Sequence, residues 1–85
     1  MSNNGLLSII VVALNEERRL PLLLKSISNE AGDDVEVILI DNGSTDNTYR
    51  IMQEYARNHK NVKTAIIVGS LGYAWNEALK MANCE

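Results

Sequence analysis

The hydrophobic pattern of this chain switches between two periods, and the switch recurs three times. Residues 8–14, SIIVVAL, are continuously apolar and β-branched, the pattern of a strand buried on both faces of a parallel sheet. Leu20, Leu23, Leu24 and Ile27 then recur at helical spacing and form a stripe that can lie on such a sheet. Asn15, Glu16 and Glu17 open that segment with negative charge near a helix N-terminus, and Pro21 is tolerated only within the first turn. The loop 29–34, with Gly32, stops the helix. Residues 35–40, VEVILI, predict a second strand, and residues 46–59 a second helix with Ile51, Met52, Tyr55 and Ala56 facing inward. Residues 62–68 predict a third strand. After Gly69 and Gly72, the alanines Ala74, Ala78 and Ala82 at i, i+4 and i+8 give a helix face of small side chains able to approach the sheet closely.

This βαβαβα order implies right-handed crossovers and a parallel sheet, an α/β fold of three layers resembling half of a Rossmann-type domain. The simplest strand order is 3-2-1, which leaves one edge of strand 1 without a partner. That apolar edge is an aggregation site unless something pairs with it, so the sheet is read as incomplete here or completed by a second copy. Residues 1–85 read as one domain, with residues 1–6 expected to be a disordered tail.

Composition narrows the function. The chain has 85 residues, 46% of them hydrophobic, which fits one small globular domain. A domain of this size buries only roughly 60% of its unfolded surface, so its stability is marginal. A net charge of −3 with scattered basic residues excludes a nucleic-acid backbone binder, which needs a concentrated basic face. The single cysteine, Cys84, excludes an intrachain disulfide and supplies no metal-ligand spacing. With no long apolar run and no signal-peptide pattern, the expected location is the cytoplasm. Asn42-Gly43-Ser44 matches a glycosylation sequon, which without a secretory signal is read as accidental.

The chemistry concentrates at residues 35–48, VEVILIDNGSTDNT. An apolar strand runs straight into Asp41, Asn42 and Gly43, followed at once by the helix-capping types Ser44, Thr45 and Asp46. In an open α/β sheet, a polar strand end beside bare helix amides is where small polar ligands bind. Asp41 has two readings from geometry alone, ligand binding or bonding to the amides of the Gly43-Ser44 turn. Ser44, Thr45 and Asp46 read as caps of the second helix, and Glu16 and Glu17 as complements of a helix dipole. His59 reads as a surface residue, and Trp75 as a core or interface anchor in preference to a stacking platform for a ligand ring.

Three pieces then line up in order: Val12-Ala13-Leu14-Asn15-Glu16, Ile40-Asp41-Asn42-Gly43-Ser44-Thr45-Asp46, and Leu71-Gly72 with Asn76-Glu77-Ala78 and Ala82-Asn83-Cys84-Glu85. Together they resemble the N-terminal, nucleotide-binding half of the family-2 glycosyltransferases with the GT-A fold, over nearly the whole chain from Leu7 onward. The resemblance implies a truncated GT-A domain that holds a uridine- or thymidine-type diphosphate sugar across the strand ends. The implied substrate-binding set is Val12, Ala13, Leu14, Asn15, Glu16, Asp41, Asn42, Gly43, Ser44, Gly72 and Asn76. Val12 to Leu14 would line the base through main-chain groups. Asn42 stands where the family commonly has an Asp that accepts the base N3–H; its oxygen can still accept while its amide donates to a base carbonyl. Leu14 stands where the family often has Tyr, replacing stacking by aliphatic contact, and Trp75 where members often carry Arg near the phosphates. Between Gly72 and Asn76 a loop shorter than the family pattern is expected. Cys84 substitutes for a family glycine.

The family's Asp-x-Asp, which holds a divalent metal such as Mg or Mn, and its acceptor-binding half have no counterpart in these residues. No catalytic residue is therefore assigned, and no sugar transfer by this piece alone is expected. Two functions compete: the donor half of a sugar transferase, and a non-enzymatic module that self-associates through strand 1 as a homodimer. A dinucleotide-binding domain lacks its glycine turn here, and a phospho-receiver lacks its acceptor Asp after strand 3.

Overall fold

The computed structural model describes residues 7–30 and 34–82. The expected tail at 1–6, the helix stop at Gly32 and the substitution at Cys84 lie outside the described residues. Six elements follow in the order β1 (Ser8–Ala13), α1 (Leu20–Glu30), β2 (Glu36–Asp41), α2 (Thr48–Arg57), β3 (Val62–Ile66) and α3 (Leu71–Met81). The strands form one parallel sheet in the order β1-β2-β3, with Ala13, Asp41 and Ile66 side by side at the C-terminal ends.

Strand alternation assigns the two faces. Ala13, Val37 and Leu39 pack with Leu20, Leu24 and Ile27 of α1 and Met52 of α2. On the opposite face Ile38 and Ile40 meet Ala74 and Ala78 of α3, with Ile10, Val12, Ala65 and Ile67 around them. The two layers of helix are thus α1 with α2, and α3 alone lying across β1 and β2. Methyl side chains at Ala74 and Ala78, both fully buried, let that helix come down on two β-branched isoleucines.

Burial corrects three expectations. β1 is not the strand buried on both faces: Ser8 to Val12 are half-buried, whereas Val37 to Ile40 of β2 are at most 1% exposed. The reason is lateral, since β2 has a strand on each side and β1 has only β2. Leu23 is 43% exposed because it sits on the flank of the α1 stripe. Trp75 is 40% exposed and belongs to neither core cluster, which removes the core half of its expected role as a core or interface anchor.

At the N-terminal edge of the sheet a polar chain ties the layers together. Ser8 Oγ donates to Glu36 (2.9 Å), Lys63 pairs with the same carboxylate (2.9 Å), and Lys63 Nζ also donates to the Met81 carbonyl (2.8 Å). The last contact places a cation on an orphan carbonyl at the end of α3, where the helix dipole favours it.

Candidate functional site

Because the sheet is parallel, every strand delivers its following loop to one edge. That edge is a crest made of residues 14–19 after β1, 42–47 after β2 and 67–70 after β3. The ladder extends one step into it, as Asn42 N–H donates to Ala13 O and Ile67 N–H to Asp41 O, both at 2.9 Å.

The first two loops are fastened by a series of reciprocal hydrogen bonds. Asn15 N–H donates to Ser44 Oγ (2.8 Å), and Thr45 N–H donates back to Asn15 Oδ1 (2.8 Å). Glu16 N–H donates to Thr48 Oγ1 (2.9 Å), and that hydroxyl donates to Asp46 Oδ1. Glu17 N–H reaches Asp46 Oδ2 (3.3 Å), while the Glu17 carboxylate receives Asn47 N–H (3.0 Å). Asn15 stands at φ +52, a left-handed conformation that Asn tolerates better than most residues. Its side chain and main chain are both held by the partner loop, which stabilises that conformation.

This clasp revises the roles expected of Ser44, Thr45, Glu16 and Glu17. Ser44 and Thr45 do not cap α2; their hydroxyl and amide serve Asn15. The α2 N-cap is Asn47, whose side chain makes no capping bond; Asp46 Oδ1 accepts Thr48 N–H at the first residue of the helix (2.9 Å), a capping role of the kind its residue type implies, and Glu17 accepts Asn47 N–H. Glu16 and Glu17 precede α1, whose first turn has no acidic residue, so the dipole Glu17 complements is that of α2. Thr48, fully buried, was not singled out from sequence, because its hydroxyl bridges groups that are remote along the chain.

Asp41 sits 2% exposed beneath the crest. Its Oδ2 accepts the N–H groups of Gly43 (3.1 Å) and Ser44 (2.9 Å), and its Oδ1 has no hydrogen-bond partner among the described residues. The carboxylate therefore organises its own turn rather than facing outward. Gly43 adopts φ +103, so the turn needs glycine for its conformation, and a Cβ there would press on Val68 Cγ2 at 3.3 Å.

Asn42 links the second loop to the third. Its Nδ2 donates to Ile67 O (2.8 Å) and Gly69 O (3.2 Å), and two carbonyl partners fix which end of the side chain is the amide. Both amide hydrogens are thus engaged inside the protein, so the expected donation to a base carbonyl is replaced by a pin on the β3–α3 loop. The same engagement occupies the nitrogen that glycosylation of the sequon would modify. What Asn42 still presents is Oδ1, an acceptor with no partner among the described residues.

The remaining predicted positions are distributed unevenly. In β1 the carbonyls of Leu7 and Ala13 point to β2, so alternation turns the main-chain groups of Val12 toward the outer edge. Ala13 is buried and its carbonyl taken, while Leu14 is 49% exposed on the crest. Gly72 and Asn76 lie inside α3, and no loop separates them, because Ser70 caps that helix through its hydroxyl to Tyr73 N–H (3.1 Å). A Cβ at Gly72 would meet nothing within 4 Å, and Asn76 is exposed. His59 is half-buried, stacked on Tyr55 with ring centroids 4.0 Å apart and bonded to the Tyr55 carbonyl.

A polar depression of about 560 Å³ flanks the clasp, lined by Asn15, Glu16, Glu17, Arg18, Arg19 and Asp46; Asn42 is not part of its wall. Among the described residues no three His, Cys, Asp or Glu side chains cluster so as to hold a metal ion, so no step is derived through one. No helix there is long and apolar enough to cross a membrane.

A parallel α/β sheet with a polar crest at its strand ends defines the class, and comparison with known proteins defines the family. The model of glycosyl transferase family 2 matches residues 8–85, and the chain belongs to that family. It is 34% identical over 73 residues to an uncharacterized glycosyltransferase of Haemophilus influenzae, a match covering 86% of this chain and 23% of that protein. It is 40% identical over 58 residues to a chondroitin synthase of Escherichia coli, covering 68% and 8%. It is 45% identical over 56 residues to a 4,4'-diaponeurosporenoate glycosyltransferase of Staphylococcus haemolyticus, covering 66% and 15%. The chain thus spans less than a quarter of the length of each of these relatives.

The clasp carries a pH dependence. The Thr48 hydroxyl, with the Thr48 and Glu17 amides, holds the Asp46 carboxyl below its ordinary value against a smaller opposing effect of burial. A lowered folded-state pKa contributes stability that is present above the unfolded-chain value and lost as pH falls through the folded one. Asp46→Asn should therefore be less stable than the parent at neutral pH, with the difference shrinking in acid, as read from urea midpoints at both pH values. A difference independent of pH would contradict the assignment.

Proposed function

We propose that this chain binds the nucleoside diphosphate of a sugar donor and forms the donor half of a glycosyl-transfer site. The observation that carries the reading is Asn42: with both amide hydrogens held by Ile67 O and Gly69 O, its remaining function at the crest is to accept. Uracil and thymine carry a donor at N3, and cytosine carries an acceptor there, so the site selects the former pair. The exposed Leu14 side chain offers an apolar contact for a base, and the outward main-chain groups of Val12 offer further hydrogen bonds. The clasp and the Asp41 turn hold these groups before any ligand arrives, which lowers the ordering cost of binding.

The carboxylates of Asp41, Asp46 and Glu17 are engaged with amides of the crest loops, Glu17 with an amide of the loop opposite its own, so none of them is assigned the activation of an acceptor hydroxyl. A divalent ion, Mg or Mn, belongs in this reading to the larger family domain. Calorimetric titration tests the proposal: uridine diphosphate should bind saturably, and cytidine diphosphate at least about tenfold more weakly, since a mismatched acceptor leaves Asn42 Oδ1 unpaired. Absence of saturation with any nucleoside diphosphate would remove the donor-site reading, and equal affinity would remove the role of Asn42.

A second reading, self-association as a homodimer, is favoured by one observation: β1 pairs only with β2, and the outward groups of Ile10 and Val12 form a strand edge with no partner among the described residues. Sedimentation over a wide concentration range should show a dimer whose population is reduced by Val12→Pro. A monomer at every concentration would end this reading.

A further inference from the structure

The sequence places Asn42 directly before Gly43, and this pair is chemically reactive as well as conformationally permissive. In an Asn-Gly sequence the glycine has no Cβ to hinder approach of its nitrogen to the preceding side-chain carbon. After loss of its proton the Gly43 nitrogen can attack Asn42 Cγ. The new C–N bond closes a five-membered imide, the Cγ–Nδ2 bond breaks, and Nδ2 leaves as ammonia after taking up a proton. Water then opens the ring at Cγ to give aspartate, or at the main-chain carbonyl carbon to give isoaspartate.

In the folded chain each participant in that reaction is held elsewhere. The Gly43 N–H donates to Asp41 Oδ2 at 3.1 Å, which keeps the proton on the nitrogen and its direction toward Asp41. The Asn42 amide is held on Ile67 O and Gly69 O, and the Asn42 main-chain N–H on Ala13 O. Closing the ring removes the Gly43 proton that Asp41 accepts and the amide that Ile67 O and Gly69 O accept, so it cannot be completed without breaking the pin. Reaction therefore proceeds from an opened form of the turn, at a rate set by how often the loops 42–44 and 67–70 separate.

We infer that Asn42 is a deamidation site gated by the β3–α3 loop, and that its conversion releases that loop irreversibly. The product has no amide hydrogens for Ile67 O and Gly69 O and places a carboxylate against two carbonyl oxygens. The isoaspartate form also lengthens the main chain within the Asp41 turn. Ile67, whose N–H is bonded to Asp41 O, lies next to the released carbonyls and reports the change. The inference concerns the chemistry of the turn and holds whatever the crest binds.

The protein is aged at mildly alkaline pH in native buffer and, in parallel, in concentrated urea, and conversion is located by fragmentation of the proteolytic peptides. The second Asn-Gly pair of the chain, Asn4-Gly5, serves as an internal check that the urea conditions support the reaction. Asn42 should convert in urea, and in native buffer roughly tenfold more slowly or slower still, the factor reflecting the free energy of local opening. Gly69→Ala should speed the native reaction without changing the rate in urea, because Gly69 stands at φ +144 and a Cβ there would lie 3.0 Å from Tyr73. Asn42→Asp should weaken the hydrogen-exchange protection of the Ile67 amide. Equal wild-type rates in native buffer and urea would overturn the gating even if the alanine variant fails to fold. No conversion at Asn42 in urea would overturn the site, and unchanged Ile67 protection in Asn42→Asp would overturn the release.

Discussion

The geometry of the crest depends on one constraint: the loop after β1 is held by side chains of the loop after β2. Asn15, Glu16 and Glu17 on one side meet Ser44, Thr45, Asp46, Asn47 and Thr48 on the other, through bonds that run in both directions. Each loop alone would expose amides that a short helix start leaves unsatisfied, and together they satisfy one another. The left-handed Asn15 is part of this fit, its main-chain N–H and its side-chain oxygen both bonded to the partner loop. The clasp also keeps Leu14 and the end of β1 at a fixed height relative to Asn42, and that relation gives the crest a defined shape.

Asn42 extends the same principle to the third loop. Its amide faces inward and its oxygen remains available at the crest, so one side chain is both a fastening and, in the function proposed above, the acceptor for a base. The two roles are coupled: whatever removes the amide also moves the loop carrying Ile67, Val68 and Gly69. An aspartate at this position would be an acceptor too, but it could not hold those carbonyls. The chemistry of the Asn42-Gly43 pair thus bears on the shape of the site and not only on one contact.

Much of the fold was legible in the sequence because it rests on local pattern. The alanines of α3 declare their burial without reference to any partner, and Ala74 and Ala78 are where that pattern places them. The clasp was not legible in this way. Ser44 and Thr45 have the composition of helix caps, and nothing local distinguishes that role from bonding a loop 29 or 30 residues earlier, whereas Asp46 does bond the first amide of α2. Thr48 and Glu17 were overlooked or misassigned for the same reason, since their partners are set by the sheet bringing two strand ends together. The burial of β1 was overstated because apolar composition does not say whether a strand has neighbours on one side or two. The loop anticipated between Gly72 and Asn76 is helix because Ser70 caps it, a signal present in the sequence but outweighed by the glycines around it.

The central claim is that Asn42 directs its amide into the protein and leaves its oxygen at the crest. Hydrogen exchange of the side-chain amide protons in nitrogen-15-labelled protein measures this directly, with the exposed Asn76 on α3 as the reference within the same molecule. Slower exchange at both Asn42 protons than at those of Asn76 is the predicted result. Exchange at Asn42 as fast as at Asn76 would mean that the amide is open to solvent, and the account of the pin, the acceptor and the gated turn would fall together.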